Sequence, residues 1–219
     1  DHLPVALLSV PHMVADRTKF LLGQTKINPG FAIAKLINKL LDTGAEIIGI
    51  PCNTAHAAPI FDVVKANIPN DCRLLHLVEE VAKYLRQQHP EIQKVGILAT
   101  TGTVNTNLYP DILKQFDIEA IQPSSDVQEE KVHPAIYDPE YGIKALSNPV
   151  APKAKKFLLD AGMHLVDRGA QAIILACTEI PLAIQQETLN GSLVVDATAI
   201  LANALRMAAL QEAPLAVTE

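Results

Sequence analysis

The sequence predicts an α/β fold of two pseudo-symmetric Rossmann-like domains, each a mostly parallel sheet flanked by helices. Three observations predict it. Short runs of continuously apolar residues alternate with stretches of helical period, the pattern of strands covered on both faces. The helical stretches begin and end at readable capping residues. One strand-and-turn segment occurs twice.

Taken in order, strands are expected at residues 5–10, 46–50, 94–99, 118–121, 172–176 and 193–195, each a short run rich in Val, Ile, Leu and Ala. Between them, Asn28 before Pro29 reads as an N-cap with proline at the first helical position. Phe31, Ile33, Leu36, Ile37, Leu40 and Leu41 then make one apolar stripe, and Gly44 closes the helix. Residues 77–88 and 152–168 repeat the pattern, the second ending at Gly169, and Asp196 opens a last helix running to about residue 210. Residues 124–131 read as a capped, solvated helix start.

The repeat is GAEIIGIPCNT at 44–54 and GAQAIILACTE at 169–179. Each is a helix-stopping Gly-Ala, a buried strand, and a cysteine followed by two polar residues; Cys52 falls on Cys177. In the second half a strand running into the Gly/Thr-rich turn at 100–103 precedes the cysteine, and the first half has no counterpart to it. The chain is therefore expected to start inside the first half, lacking that half's opening strand. The expected domains are residues 1–91 with 196–219, and residues 92–195.

The 219 residues are 49% hydrophobic and 19% charged, which excludes a disordered chain. Basic residues number 18 against 24 acidic, a net charge of −6, which argues against a nucleic-acid or anionic-membrane surface. No apolar run nears the ~18–20 residues of a membrane span. The opening Asp1-His2-Leu3-Pro4 shows no basic leader, so a cytoplasmic location is expected. No P-loop, GxGxxG fingerprint or metal-ligand spacing is present.

Three scattered cysteines make no disulfide framework or zinc knuckle. Cys72, between Asp71 and Arg73, reads as structural. Cys52 and Cys177 each stand just past an apolar strand, where α/β folds bind ligands. Two thiols on similar halves would face each other across the interdomain cleft. That suits a reaction needing a base on one face of a carbon and an acid on the other: a thiolate removes a proton, the opposite thiol returns one, and a stereocentre inverts.

Three segments, Pro51-Cys52-Asn53-Thr54-Ala55-His56, residues 98–103 (LATTGT) and Ala176-Cys177-Thr178-Glu179-Ile180-Pro181, resemble motifs of the aspartate/glutamate racemase superfamily, and most of all its PLP-independent aspartate racemases. The resemblance runs from Asp16-Arg17-Thr18 to the Asp196 helix. It implies two similar domains, no cofactor, a homodimer, and Cys52 and Cys177 as the acid/base pair. It further implies that Asn53, Thr54, Thr103 and Thr178 hold the substrate's α-carboxylate and ammonium groups, with Thr101 and Glu179 also at the substrate. Arg17, in Asp-Arg-Thr, and Lys144, in Gly-Ile-Lys, match the positions that take the second carboxylate of aspartate; an arginine fork and a lysine point charge suit that task. His56 and Glu179 either orient the cysteines or, for His56, simply pack on its helix.

The chain also departs from the pattern. Glutamate racemases usually carry Cys-Thr-His where this chain has Cys177-Thr178-Glu179, and the family's opening Gly-Gly-Met-Gly-like turn is absent. Two alternatives stand beside aspartate racemisation: a maleate-type cis–trans isomerase using a cysteine nucleophile, and a dicarboxylate-binding protein without turnover.

Overall fold

A strand needs a neighbouring backbone as well as apolar side chains, and all but one of the expected runs find one. In the computed structural model, which describes residues 3–212, β1 (Ile47–Gly49) and β2 (Arg73–Leu75) form a 2-stranded parallel sheet. A 5-stranded sheet has the order β4-β3-β5-β7-β6, with β3 (Lys94–Ala99), β4 (Glu119–Ile121), β5 (Ala172–Ala176), β6 (Thr188–Leu189) and β7 (Ser192–Asp196). All of its pairings are parallel except β6 on β7. β5 is buried at every residue, as its unbroken apolar run requires.

The helices are α1 (Arg17–Leu21), α2 (Pro29–Leu41), α3 (Ala58–Ala66), α4 (Leu77–Gln88), α5 (Thr101–Asn105), α6 (Leu108–Lys114), α7 (Ser125–Val127), α8 (His133–Tyr137), α9 (Pro152–Asp167) and α10 (Ala197–Glu212). Asn28 caps α2 as expected, accepting from Gly30 N at 2.8 Å, while its amide donates to Pro59 O at 2.9 Å and so ties α2 to the start of α3. Asp196 caps α10, accepting from Thr198 N at 2.8 Å and Ala199 N at 3.2 Å. Gly44 and Gly169 sit at φ +87 and +92, the left-handed conformation that lets each preceding helix turn straight into its strand. The two copies of the repeat thus share their backbone logic.

The cores follow the sheets. α4, α6 and α10 bury Leu77, Val81, Leu85, Tyr109, Leu113 and Leu201 with β3 and β5, and α10 also packs on β1 and β2. α8 and α9 cover the opposite face of the larger sheet through Ile136, Leu158 and Leu165. A third cluster joins α2, α3 and β1 through Ile33, Ile37, Ile48, Ile60 and Val64. Among the described residues no helix is long and apolar enough to cross a membrane.

Three expectations need correction. Residues 5–10 form no strand: among the described residues nothing runs beside them to supply a ladder, and Val5 and Leu7 are each 84% exposed. Phe31, counted in the apolar stripe of α2, is 60% exposed on the outer side of the helix. Ser124 makes no capping bond to α7; its hydroxyl meets His164 Nε2 at 3.4 Å, and the next turn is a π turn, Gln128–Val132, in which Gln128 is buried while Ser125, Asp126, Glu129 and Glu130 are exposed as expected.

Candidate active site

Strand ends deliver the two cysteines. After β1 the chain passes Cys52 into a tight 3₁₀ turn, Asn53–His56; after β5 it passes Cys177, Thr178 and Glu179 into a second, Ile180–Leu182. Cys52 and Cys177 line one small cleft. Arg17 enters it from the start of α1, which Asp16 caps by accepting from Lys19 N at 2.8 Å. Lys144 enters from the loop after α8.

α1 can lie this close because of a glycine. A Cβ on Gly102 would come within 3.0 Å of the Thr18 Cα, so the Gly in the turn after β3 lets the arginine-bearing helix sit against α5.

The two thiols have different surroundings. Cys177 is 6% exposed, and its Sγ donates to Glu179 Oε2 at 2.9 Å. The same oxygen accepts from the Thr178 hydroxyl at 2.9 Å, and Lys144 pairs with the other carboxylate oxygen. Burial first, and the Glu179 carboxylate second, push Cys177 above the ordinary thiol range; Lys144 opposes them only in part. Burial works against the charge on Glu179, yet bonds from Cys177 and Lys144 hold it below the ordinary carboxylate range. Cys52 is only partly buried. Its neighbour is Arg17, whose charge burial disfavours but whose attraction to and hydrogen bond with Cys52 more than offset that, raising it above the usual guanidinium range. One thiol faces an anion, the other a cation.

Behind the cysteines lies a floor of hydroxyls. Thr54, Thr100 and Thr103 are mutually bonded at 2.9 to 3.1 Å. Thr18 donates to Thr100 at 3.2 Å and accepts from the Tyr137 hydroxyl at 2.8 Å. Beside it, Asn53 is buried, with Oδ1 accepting from the Tyr109 hydroxyl at 2.5 Å and Nδ2 without a partner. An unpaired buried donor at the wall of a polar cleft is a place for a ligand acceptor.

His56 is fully used in positioning. Its Nε2 accepts from Leu77 N at 3.3 Å, so the proton is on Nδ1, which donates to Cys52 O at 2.9 Å. Burial, helped by neighbouring His76, lowers its pKa to about 3, so the ring is neutral. The two readings of His56 are therefore one: it packs under α4 and holds the Cys52 backbone.

Of the residues singled out from sequence, Arg17, Cys52, Asn53, Thr54, Lys144, Cys177, Thr178 and Glu179 line the cleft. Thr101 and Thr103 do not. Thr101 turns to His133 Nδ1 at 3.0 Å and to the buried Gln128 amide at 3.2 Å, because as the first residue of α5 it points away from the cleft; Thr103 lies beneath Thr54. Both oxygens of Glu179 are already held by the protein's own donors, which turns it toward Cys177 rather than toward a ligand. Cys72 lies off the site, against the α2–α3 cluster. Asp16, Thr18, Thr100 and Tyr137 line the cleft without having been singled out from sequence, and Tyr109 holds Asn53 from behind it. Among the described residues no His/Cys/Asp/Glu group could hold a metal ion.

A family model described as Asp/Glu/hydantoin racemase matches residues 1–205. The chain is 28% identical over 164 residues to the broad specificity amino-acid racemase RacX of Bacillus subtilis, covering 75% of this chain and 65% of that protein. It is 28% identical over 155 residues to a glutamate racemase of Carnobacterium, covering 70% of this chain and 53% of that enzyme, so it spans about half the relative's length. In structure it resembles the Picrophilus torridus aspartate racemase with TM-score 0.74 at 24% identity, over 95% of this chain and 80% of that one. At that identity the likeness is one of fold.

Proposed function

The chain belongs to the Asp/Glu/hydantoin racemase family, and from that premise we propose that it interconverts L- and D-aspartate without a cofactor, Cys52 and Cys177 serving as the two bases. The observation that carries the reading is the cleft itself: two strand-end cysteines, one from each copy of the repeat, line it together with Arg17 and Lys144. One cysteine, as thiolate, takes the α-proton; the other, as thiol, delivers a proton to the opposite face; the carbanion between them is planar and inverts. In this reading Asn53, whose Nδ2 has no partner in the protein, and Thr54, both at the cleft, serve the α-carboxylate as it gathers charge while the proton leaves. Arg17 takes the side-chain carboxylate in a bidentate fork, and Lys144 adds charge.

In this reading residues 1–91 with 196–219 and residues 92–195 form the two halves, the working unit is a cytoplasmic homodimer, and the partner is a small amino acid. A second reading is a wider amino-acid range, because Glu179 already balances the charge of Lys144 and leaves Arg17 as the less encumbered cation. The test is racemisation of L- and D-aspartate followed by circular dichroism in D₂O, with alanine, glutamate and maleate alongside. Inversion with deuterium at Cα supports a racemase; comparable rates on alanine select the wider range. Isomerisation of maleate alone, or binding of aspartate without exchange, would replace the reading.

A further inference from the structure

The titratable groups whose charge acts on Cys177 include Glu179 and Lys144 in the cleft, Tyr137 at its wall and Tyr109 from the core behind it. Among them Glu179 makes the direct bond, with Sγ donating to Oε2 at 2.9 Å. A carboxylate can accept a hydrogen bond from a thiol but only repels a thiolate. Lys144 is turned onto the other oxygen of the same carboxylate, and its charge also acts on Cys177, in the sense opposite to Glu179 and only in part offsetting it. On the other side of the cleft, among the described residues no carboxylate bonds Cys52; its charged neighbour is the Arg17 guanidinium, which favours an anion, with Asp16 also lining the cleft and acting on Arg17.

We propose that Glu179 is a positioning residue that keeps the proton on Cys177, so that the empty site is polarised: Cys177 stands ready as the acid and Cys52, beside Arg17, as the base. The assignment rests on the two-cysteine reading above. It says which cysteine starts the cycle. The Cys52 thiolate takes the Cα proton and becomes a thiol, and Cys177 gives its proton to the opposite face and becomes a thiolate. Cys177 is then left against Glu179, an arrangement that reverts either by turning over the opposite enantiomer or by taking a proton from water while Cys52 loses one. No other reactant is needed. The carboxylate thus separates two chemically identical groups into unlike roles.

Iodoacetamide reads thiolates directly, since the thiolate is the nucleophile. Labelling of the whole protein, with peptide mass analysis of each cysteine from pH 6 to 10, tests the proposal. In the wild type, Cys52 is expected to react at least about tenfold faster than Cys177 at neutral pH. In Glu179→Gln the pH midpoint for Cys177 is expected to fall by at least one unit, about a tenfold gain in rate at neutral pH, with Cys52 changed less than about twofold. Glu179→Asp should restore slow labelling. Mere loosening of the site would speed Cys177 at every pH without moving its midpoint, and that result overturns the proposal, as does equal labelling of Cys52 and Cys177 in the wild type. Labelling needs no turnover. Failure of aspartate racemisation would therefore strike the proposed function and leave this result to be judged alone.

Discussion

The Tyr109 hydroxyl donates to Asn53 Oδ1 at 2.5 Å, which fixes the amide of Asn53 with its nitrogen buried and without a partner. The tyrosine is buried in the core under α4 and α10 and never reaches the cleft, so its part is to aim the asparagine. Tyr109→Phe frees the amide to rotate and leaves Oδ1 unpaired. We expect a rise in KM for aspartate of about 2- to 12-fold, from losing about 0.5–1.5 kcal/mol of aimed hydrogen bond, with a smaller effect on kcat. Steady-state kinetics on the purified variant check it; an unchanged KM assigns Tyr109 to packing alone.

The proposed acid/base pair makes a sharper demand. Cys52→Ala and Cys177→Ala should each abolish racemisation, whereas Cys72→Ala, off the site against α2 and α3, should leave it largely intact. The assay is optical rotation of L-aspartate over time. Substantial turnover by either of the first two variants would overturn the two-thiol assignment.

Arg17 and Lys144 should differ. Arg17→Ala removes charge-assisted contacts worth about 1.5–3 kcal/mol, or about 10- to 150-fold in kcat/KM. Lys144→Ala should lose less, because a lone ammonium makes a less directional contact and this one is already paired with Glu179. The two losses need not add, since both residues would touch one carboxylate. Kinetics of the single and double variants on aspartate and alanine decide the point; a silent Arg17→Ala removes that residue from substrate recognition.

His56 predicts a pH dependence of stability. Its folded pKa, about 3, lies below the ordinary 6.5, so between those values the unfolded chain binds the extra proton. Stability from keeping this ring neutral is complete above about pH 6.5 and is lost as pH falls toward 3, at up to about 1.4 kcal/mol per pH unit. Urea unfolding of the wild type and of His56→Asn between pH 4 and 7 should show the variant with the flatter profile. Parallel profiles would mean that another group sets the acid limit.

The elements most legible in the sequence are those whose residues decide their own fate. β3 and β5 carry unbroken apolar runs, and α4 and α9 carry capping or proline starts with clean stops, so their limits could be read almost to the residue. Residues 5–10 look the same on paper as β3, yet a ladder depends on a neighbour that no local pattern reports. β2 and β6, at 3 and 2 residues, are too short to show a period.

The site divides in the same way. The repeat and the short motifs single out Cys52, Cys177, Arg17 and Lys144 because each stands in a recognisable local context. Tyr137 and Tyr109 carry no such context; they matter through a hydroxyl that reaches Thr18 or Asn53 from a helix far along the chain. Thr101 misled for the complementary reason, since adjacent residues at a helix start point in different directions.

The triangle of Thr54, Thr100 and Thr103 has a property that none of its members has singly. Three hydroxyls supply three protons, and three edges need one each, so the protons can circulate in either of two senses. Three rotations about C–O bonds exchange those senses, with no charge transferred and no heavy atom displaced. A ligand that takes the Thr54 proton leaves two protons for three edges, so one edge of the triangle opens each time the cleft is filled.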